Sequence, residues 1–295
     1  MTALCPICGG QGEPTYHATD ENHRCSPVEF HYSTCGQCGT VYLTNSPGDL
    51  GRYYEADYYE IPSLERLAEI SGKDPNKIDI VDRFATGKRL LEVGPAFGVF
   101  AYQARERGYD VETIEMDETC CDFLRQTVGV GATQSDTPHD TLATMPAHDV
   151  IALWHVLEHL PDIPALLKAA AANLSPDGIL VVATPNPNAG QFQLMGRHWP
   201  HLDAPRHLAL VPSDALETLG RKHGLEPVFL TSDDSDARSW NRFGWQRLLM
   251  NRFRGKFLQR AMFVIGYLLS ILAAPFDRRN MRGAAYTMVL RKSAA

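Results

Sequence analysis

Four cysteines open the chain in two matched units, Cys5-Pro-Ile-Cys8-Gly9 and Cys35-Gly-Gln-Cys38-Gly39. Two residues between thiols let one tight turn present both sulfurs to a single ion. The glycine after each pair lets the backbone fold round it. Four thiolates with no open position suit a structural, non-catalytic zinc site. Cys25, Cys120 and Cys121 show no such pattern. His17, His23 and His31 lie nearby and are expected to face solvent or substrate.

A second group of chemically capable residues falls between 155 and 207. His155, Glu158 and His159 stand at i, i+3 and i+4, so a helix there presents all three on one face. An imidazole beside a carboxylate is a general base near neutral pH. The same triplet also suits a divalent metal, or a purely structural tie between neighbouring loops. Further on, Asp203-Ala-Pro205-Arg206-His207-Leu208 offers His207 as an alternative base. Arg206 offers a site for an anionic acceptor, unless it pairs with Asp203.

These groups need elements to position them. Leu90-Leu91-Glu92-Val93-Gly94-Pro95-Ala96-Phe97-Gly98 reads as a strand, a glycine turn and a helix start. The positions of a strict G-x-G-x-x-G hold Gly94, Ala96 and Val99, which counts against a dinucleotide oxidoreductase. The next strand, Val111 to Glu115, ends in a carboxylate that can accept from both hydroxyls of a ribose; Asp117 competes for that role. From Lys88 the pattern alternates strand and helix, which predicts a mostly parallel sheet covered on both faces. The predicted strands are 89–93, 110–115, 149–154, 179–184, 225–230 and 284–290, with helices at 97–107, 118–127, 165–174 and 213–223. Ahead of them, 30–33 and 40–43 read as strands and 64–70 and 75–84 as helices. A tyrosine-rich stretch between, with Tyr53, Tyr54, Tyr58 and Tyr59, has no assigned role.

The sequence resembles the class I S-adenosylmethionine-dependent methyltransferases. Four segments carry the resemblance: the E-x-G-x-x-x-G turn of Glu92, Gly94 and Gly98; the acidic strand end at Glu115; His155-Val-Leu-Glu158-His159-Leu160 after the fourth strand; and Leu174-Ser-Pro-Asp-Gly178 before the fifth. The resemblance covers about residues 60 to 230 and the last strand. It implies an α/β fold with a Rossmann-like sheet of seven strands, six parallel and one antiparallel. It implies S-adenosylmethionine as cofactor, held by Glu92, Gly94, Ala96, Gly98, Glu115, Asp136 and Trp154, with Thr137 second to Asp136 near the adenine. His159, Glu158, His155 and His207 are then the candidate catalytic residues. A cysteine module ahead of such a domain also resembles the bacterial sugar C-methyltransferases, although this chain lacks their large C-terminal domain. The acceptor implied is a small molecule or a saccharide, nucleotide- or lipid-linked. The contrasting expectation is a silent scaffold that recruits a partner through its zinc module.

The chain divides by composition into a zinc-binding module at 1–45, a linker with helices at 46–86, the cofactor domain at 87–235, a helical insertion at 236–282, and a closing strand at 283–295. Its 28 basic and 35 acidic residues give a net charge of −7, which argues against a general nucleic-acid binder. No basic stretch followed by an apolar run opens the chain, so the cytosol is the expected compartment. The segment 238–282 differs from the rest, with ten basic residues and one acid, Asp277. Inside it, Ala261 to Phe276 is apolar on every side, too short at 16 residues to span a bilayer and interrupted by Pro275. Such a run is buried in the core, in a homodimer, or at the inner face of a membrane.

Overall fold

The computed structural model describes residues 3–54 and 60–293. Tyr58 and Tyr59 lie outside the described residues.

The cysteine module is built from β1 (Gly12–Ala18), β2 (Phe30–Cys35) and β3 (Val41–Leu43). β1 was not expected from the sequence: Pro14 disturbs its period, and the pairing with β2 slips between Pro14 and Tyr16. The module is also not self-contained. β3 pairs with β9 (Ala209–Leu210), so a strand made about 170 residues later closes its sheet in the order β1-β2-β3-β9.

Two helices follow, α1 (Leu64–Lys73), capped by Ser63, and α2 (Asn76–Phe84). Then comes the alternating region: β4 (Arg89–Val93), α3 (Val99–Glu106), β5 (Asp110–Glu115), α4 (Glu118–Phe123), β6 (Gly131–Gln134) and α5 (Pro138–Thr144). The helix expected over 118–127 stops at Phe123 and widens into a π-turn over Leu124–Val128. The region continues with β7 (His148–Trp154), α6 (Ile163–Asn173), β8 (Leu174–Pro185), α7 (Gly190–Met195), α8 (Ser213–Lys222) and β10 (Leu225–Thr231). It ends with α9 (Ser235–Asn251), α10 (Lys256–Asp277) and β11 (Ala285–Lys292).

The main sheet runs β10-β11-β8-β7-β4-β5-β6. Only β11 is antiparallel, pairing with β8 and β10, so six strands run one way and one the other, as the resemblance implies. Alternation along the strands feeds two cores. Leu91, Ile151 and Leu153 pack with Leu166 and Leu216 of α6 and α8 on one face. Leu90, Val150 and Ala152 pack with Leu67, Val81 and Phe100 of α1, α2 and α3 on the other. Cys5, Cys35 and Tyr42 join the first of these cores, and Phe30, Tyr32 and Val41 form a third with Phe192, Trp199 and Leu202. The cysteine module is therefore packed onto the carboxyl edge of the sheet.

The C-terminal insertion departs from expectation. α10 is a continuous helix of 22 residues with Pro275 inside its last turn, long and apolar enough to cross a membrane by length and composition. It is not taken into the core. Gly266 and Asp277 are its fully buried residues, while Phe257, Phe263, Leu268, Ile271 and Leu272 are exposed.

Candidate active site

The turn after β4 is left-handed at three residues, Gly94 (φ +67), Ala96 (φ +51) and Gly98 (φ +82). A β-carbon at Gly94 would come within 2.6 Å of Val156, so the backbone there approaches the loop after β7 too closely for a side chain. A β-carbon at Gly98 would meet Leu124 at 2.5 Å. Gly98 thus serves packing between α3 and the π-turn, and it is not among the described residues lining the cavity above the turn.

Glu115 ends β5 beside this turn. Its Oε2 accepts from the Ala96 N–H at 2.9 Å, and its Oε1 from those of Met116 at 2.8 Å and Asp117 at 3.0 Å. The carboxylate clamps the first two strand ends together. Burial pushes its carboxyl above the ordinary range, against the pull of these amides. Asp117, the competing candidate, turns away to cap α4, accepting from Cys120 N–H at 2.7 Å. Glu92 sits below the turn, 3% exposed, with Oε2 unpartnered. Burial pushes its carboxyl up to about 8, opposed by Lys77 and reinforced by Glu115.

A cavity of about 410 Å³ opens at the carboxyl ends of β4, β5 and β7. Gly94, Ala96, Glu115, Asp136, Trp154, His155 and His159 line it, together with Ser135. Of the expected residues, Glu92, Gly98, Glu158, His207 and Thr137 are not among those described as lining it. Leu50, Gly51 and Tyr54 form its far wall, which gives the described part of the tyrosine-rich linker a role. The Trp154 ring tilts against Phe100, with the Lys77 ammonium 5.0 Å from its centroid.

The segment after β7 is not the helix that would align His155, Glu158 and His159. His155 has φ +58, and a single 3₁₀ turn spans Leu157–His159. The three still gather. His155 Nε2 meets Asp236 Oδ2 of α9 at 2.5 Å, and Nδ1 lies 3.8 Å from Glu158 Oε1. Although burial alone would raise it, His155 and Lys77 hold the Asp236 carboxyl well below the usual range. The His155 ring stacks on Trp240 at 3.8 Å, and Trp240 stacks on His201 at 4.5 Å.

Glu158 is fully buried; its Oε2 accepts from Thr184 Oγ1 at 2.9 Å and its Oε1 is unpartnered. His159 Nδ1 lies 3.0 Å from the Arg206 carbonyl and 3.1 Å from Tyr54 Oη. A carbonyl only accepts, so Nδ1 carries the hydrogen and Nε2 keeps its lone pair. Burial, then His207, push His159 down to about 4, against the pull of Glu158. His207 stands behind it, rings 4.7 Å apart, with Nδ1 donating to the His201 carbonyl at 2.8 Å.

Arg206 does not serve an anionic acceptor. It is fully buried and donates to Asp20 Oδ1 at 2.6 Å, to Asp203 Oδ2 at 2.8 Å and to the Tyr53 carbonyl at 3.2 Å. An unpaired charge at this depth is costly, and two carboxylates satisfy it. Asp236, Trp240, Tyr54 and Lys77 escape sequence reasoning. The first two lie at the start of a segment whose basic and apolar composition hid them, Tyr54 belongs to a stretch noticed for its tyrosines, and Lys77 carries no signal.

In the cysteine module the four sulfurs of Cys5, Cys8, Cys35 and Cys38 lie within 4.8 Å of one another. Gly9 (φ +73) and Gly39 (φ +72) supply the left-handed corners, each donating its N–H to the carbonyl of the first cysteine of its pair at 3.0 Å.

Residues 64–230 match the model of a family described as a methyltransferase domain. The ubiquinone biosynthesis O-methyltransferase of Ralstonia nicotianae is 24% identical over 204 residues, spanning 65% of this chain and 86% of its own length. That of Neisseria meningitidis serogroup C is 28% identical over 224 residues, spanning 62% and 94%. Among solved structures, a SAM-dependent methyltransferase from Archaeoglobus fulgidus superimposes with a TM-score of 0.51, at 17% identity over 83% of this chain and all of that one. Phosphoethanolamine N-methyltransferase 2 of Haemonchus contortus, in complex with S-adenosyl-L-methionine, gives 0.55 at 12% identity, over 97% of this chain and 70% of that one. These likenesses show the same fold.

Proposed function

This chain belongs to the family of methyltransferase domains and uses S-adenosylmethionine, and on that premise we propose that it methylates a hydroxyl of a small-molecule acceptor. The observation that carries the proposal is the neutral His159 imidazole on the cavity wall, with Nδ1–H held by the Arg206 carbonyl and Glu158 behind it. The O-methyltransferase relatives support a hydroxyl as the acceptor group. A saccharide hydroxyl, free or carried on a nucleotide or lipid, is the narrower form of the proposal and rests on the resemblance to sugar methyltransferases.

The cofactor supplies an electrophilic methyl group on a sulfonium, and the protein supplies position and proton transfer. The residues fit it. The Gly94 turn leaves no side chain at the crossing, Glu115 is an acid at the second strand end, and Asp136 lies at the third. His159 Nε2 takes the proton of the acceptor hydroxyl, and the buried Glu158 carboxylate stabilises the imidazolium that results. His155, pinned by Asp236 and Trp240, holds the wall in place.

The four cysteines are proposed to hold a structural zinc ion: thiolates are its preferred donors, and the set is complete without water. The cytosol keeps such thiols reduced and is the proposed compartment.

Incubation with labelled S-adenosylmethionine and panels of phenolic and saccharide hydroxyls tests the reading. His159→Asn should lower turnover by about 10²–10⁴-fold, the usual cost of losing a general base, with S-adenosylhomocysteine affinity unchanged within a few-fold. Unchanged turnover removes His159 from the mechanism. Failure of the wild type to bind S-adenosylhomocysteine by calorimetry overturns the assignment of the cavity.

A further inference from the structure

The insertion α9–α10 leaves an apolar surface with a charge pattern around it. Phe257 is 84% exposed and Leu272 76%, and Phe263, Val264, Leu268 and Ile271 are each at least half exposed. All lie on one helix, and soluble monomers rarely expose so continuous an apolar strip. Cations stand at both ends: Arg252, Arg254 and Lys256 before it with Arg260 in its first turns, and Arg278 and Arg279 after it, all exposed, Arg278 being paired with Asp233 at 3.0 Å. Asp277, the one acid of residues 238–282, is buried and accepts from Trp245 Nε1 at 3.1 Å.

The helix is packed onto the domain through α9. Gly266 brings its backbone onto α9 so closely that a β-carbon would lie 2.5 Å from Gln246 Cα. Gln246 Nε2 donates to the Phe263 carbonyl at 3.3 Å, and Asp277 is held by Trp245. One side of α10 is therefore fixed to the protein along its length, and the other, about 33 Å long at 1.5 Å per residue, is open. Near its start a groove of about 440 Å³ lies between Lys256 and Arg260 on one hand and Met250, Phe263 and Val264 on the other. An acyl chain with an anionic head matches that lining.

We propose that α10 seats lengthwise in an anionic lipid leaflet, with Phe257, Phe263, Leu268 and Leu272 among the acyl chains and the flanking arginines at the phosphates. Charge complementarity selects this occupant: an apolar strip with cations at both ends, unpaired with acid at Arg252, Arg254, Lys256 and Arg260 among the described ion pairs, is matched by negatively charged headgroups over hydrocarbon. A second copy of the same face would bring those cations against each other. α9 links this seat to the cavity wall, since it packs against α10 and its Asp236 meets His155. The proposal does not depend on which acceptor is methylated.

Flotation of the full chain with vesicles tests it, using phosphatidylcholine alone or in equal parts with phosphatidylglycerol, at low salt and at about 0.5 M salt, where surface charge is largely screened. Binding to the mixed vesicles at low salt should exceed binding to phosphatidylcholine by about tenfold or more, and fall with salt. L268E/L272E should lose most of that binding, and R254E/R260E should lose the preference for phosphatidylglycerol. All four residues are exposed, and circular dichroism checks that each variant stays folded; if L268E/L272E does not, R254E/R260E decides alone. A protein that stays unbound with mixed vesicles at low salt, or variants that float like the wild type, overturn the proposal. A dimer by light scattering that L268E/L272E dissociates, with no flotation, overturns it too and assigns the face to a second copy.

Discussion

Two buried carboxylates meet at the first turn, and their environments set different roles. Glu115 has three backbone donors, so its loss would orphan three N–H groups as well as the acid facing the cavity. Glu115→Ala is expected to weaken S-adenosylhomocysteine binding by about 1–3 kcal/mol, the range for removing a charge-assisted acceptor, as read by calorimetry. Glu92 has a carboxyl raised to about 8, against an ordinary value of 4.5. The folded state then binds more protons than the unfolded state between these values, so stability falls as pH rises through that window. Glu92→Gln should flatten the dependence of denaturation midpoint on pH between about 4.5 and 8, while leaving cofactor affinity little changed. Gly98 is a third case. With φ +82 and Leu124 in the path of a β-carbon, Gly98→Ala should cost about 1–3 kcal/mol of stability from strain and overpacking, which thermal unfolding would show. A loss of cofactor binding with no loss of stability would instead return Gly98 to the cavity.

α9 joins the insertion to the chemistry. Its first turns carry Asp236 and Trp240, and the stack His155–Trp240–His201 fixes the wall of the cavity. Trp240→Ala should remove two ring contacts worth about 0.5–1.5 kcal/mol each and lower turnover more than cofactor affinity. Steady-state kinetics beside a calorimetric titration would separate the two. Much of the parallel sheet was legible because its strands are apolar runs bounded by glycine or proline, as at Leu90–Gly94 and at Ile179–Thr184 between Gly178 and Pro185. Glu115 and the glycine turn were legible because they are close in sequence and carry an ordered motif. β1 was not, because Pro14 and its exposed side chains break the alternation. Nor was the way His159 is held, since the Arg206 carbonyl and Tyr54 that meet it are set by packing between segments far apart. The basic, apolar character of 238–282 was evident, but exposure of α10 depends on its packing against α9 through one side alone, with Gly266 at a close approach to Gln246.

At the scale of the whole molecule, the cysteine module and the segment ending in β9 share a sheet. Leu43 N–H donates to the Leu208 carbonyl at 2.9 Å, and Leu208 N–H donates to the Glu158 carbonyl at 2.7 Å. This chain of bonds couples the cysteine module to the backbone at Leu208 and Glu158. Cys35→Ser, or prolonged chelation, should therefore reduce methyl transfer sharply while the Gly94–Glu115 end still binds S-adenosylhomocysteine. Equal loss of both would mean that the main sheet also depends on the cysteine module.

The pairing of β3 with β9 also sets a timetable. During synthesis Val41 and Tyr42 emerge well before Ala209 and Leu210, so the edge of β3 stays open while the chain between them is made. An open strand edge templates wrong partners, and contacts this distant in sequence form slowly. The knuckles of Cys5 and Cys35, only 30 residues apart, are complete in the chain long before that partner is made. On the proposed zinc site, metal supply during translation would then affect how much of the chain reaches the native state, besides its role in the finished protein.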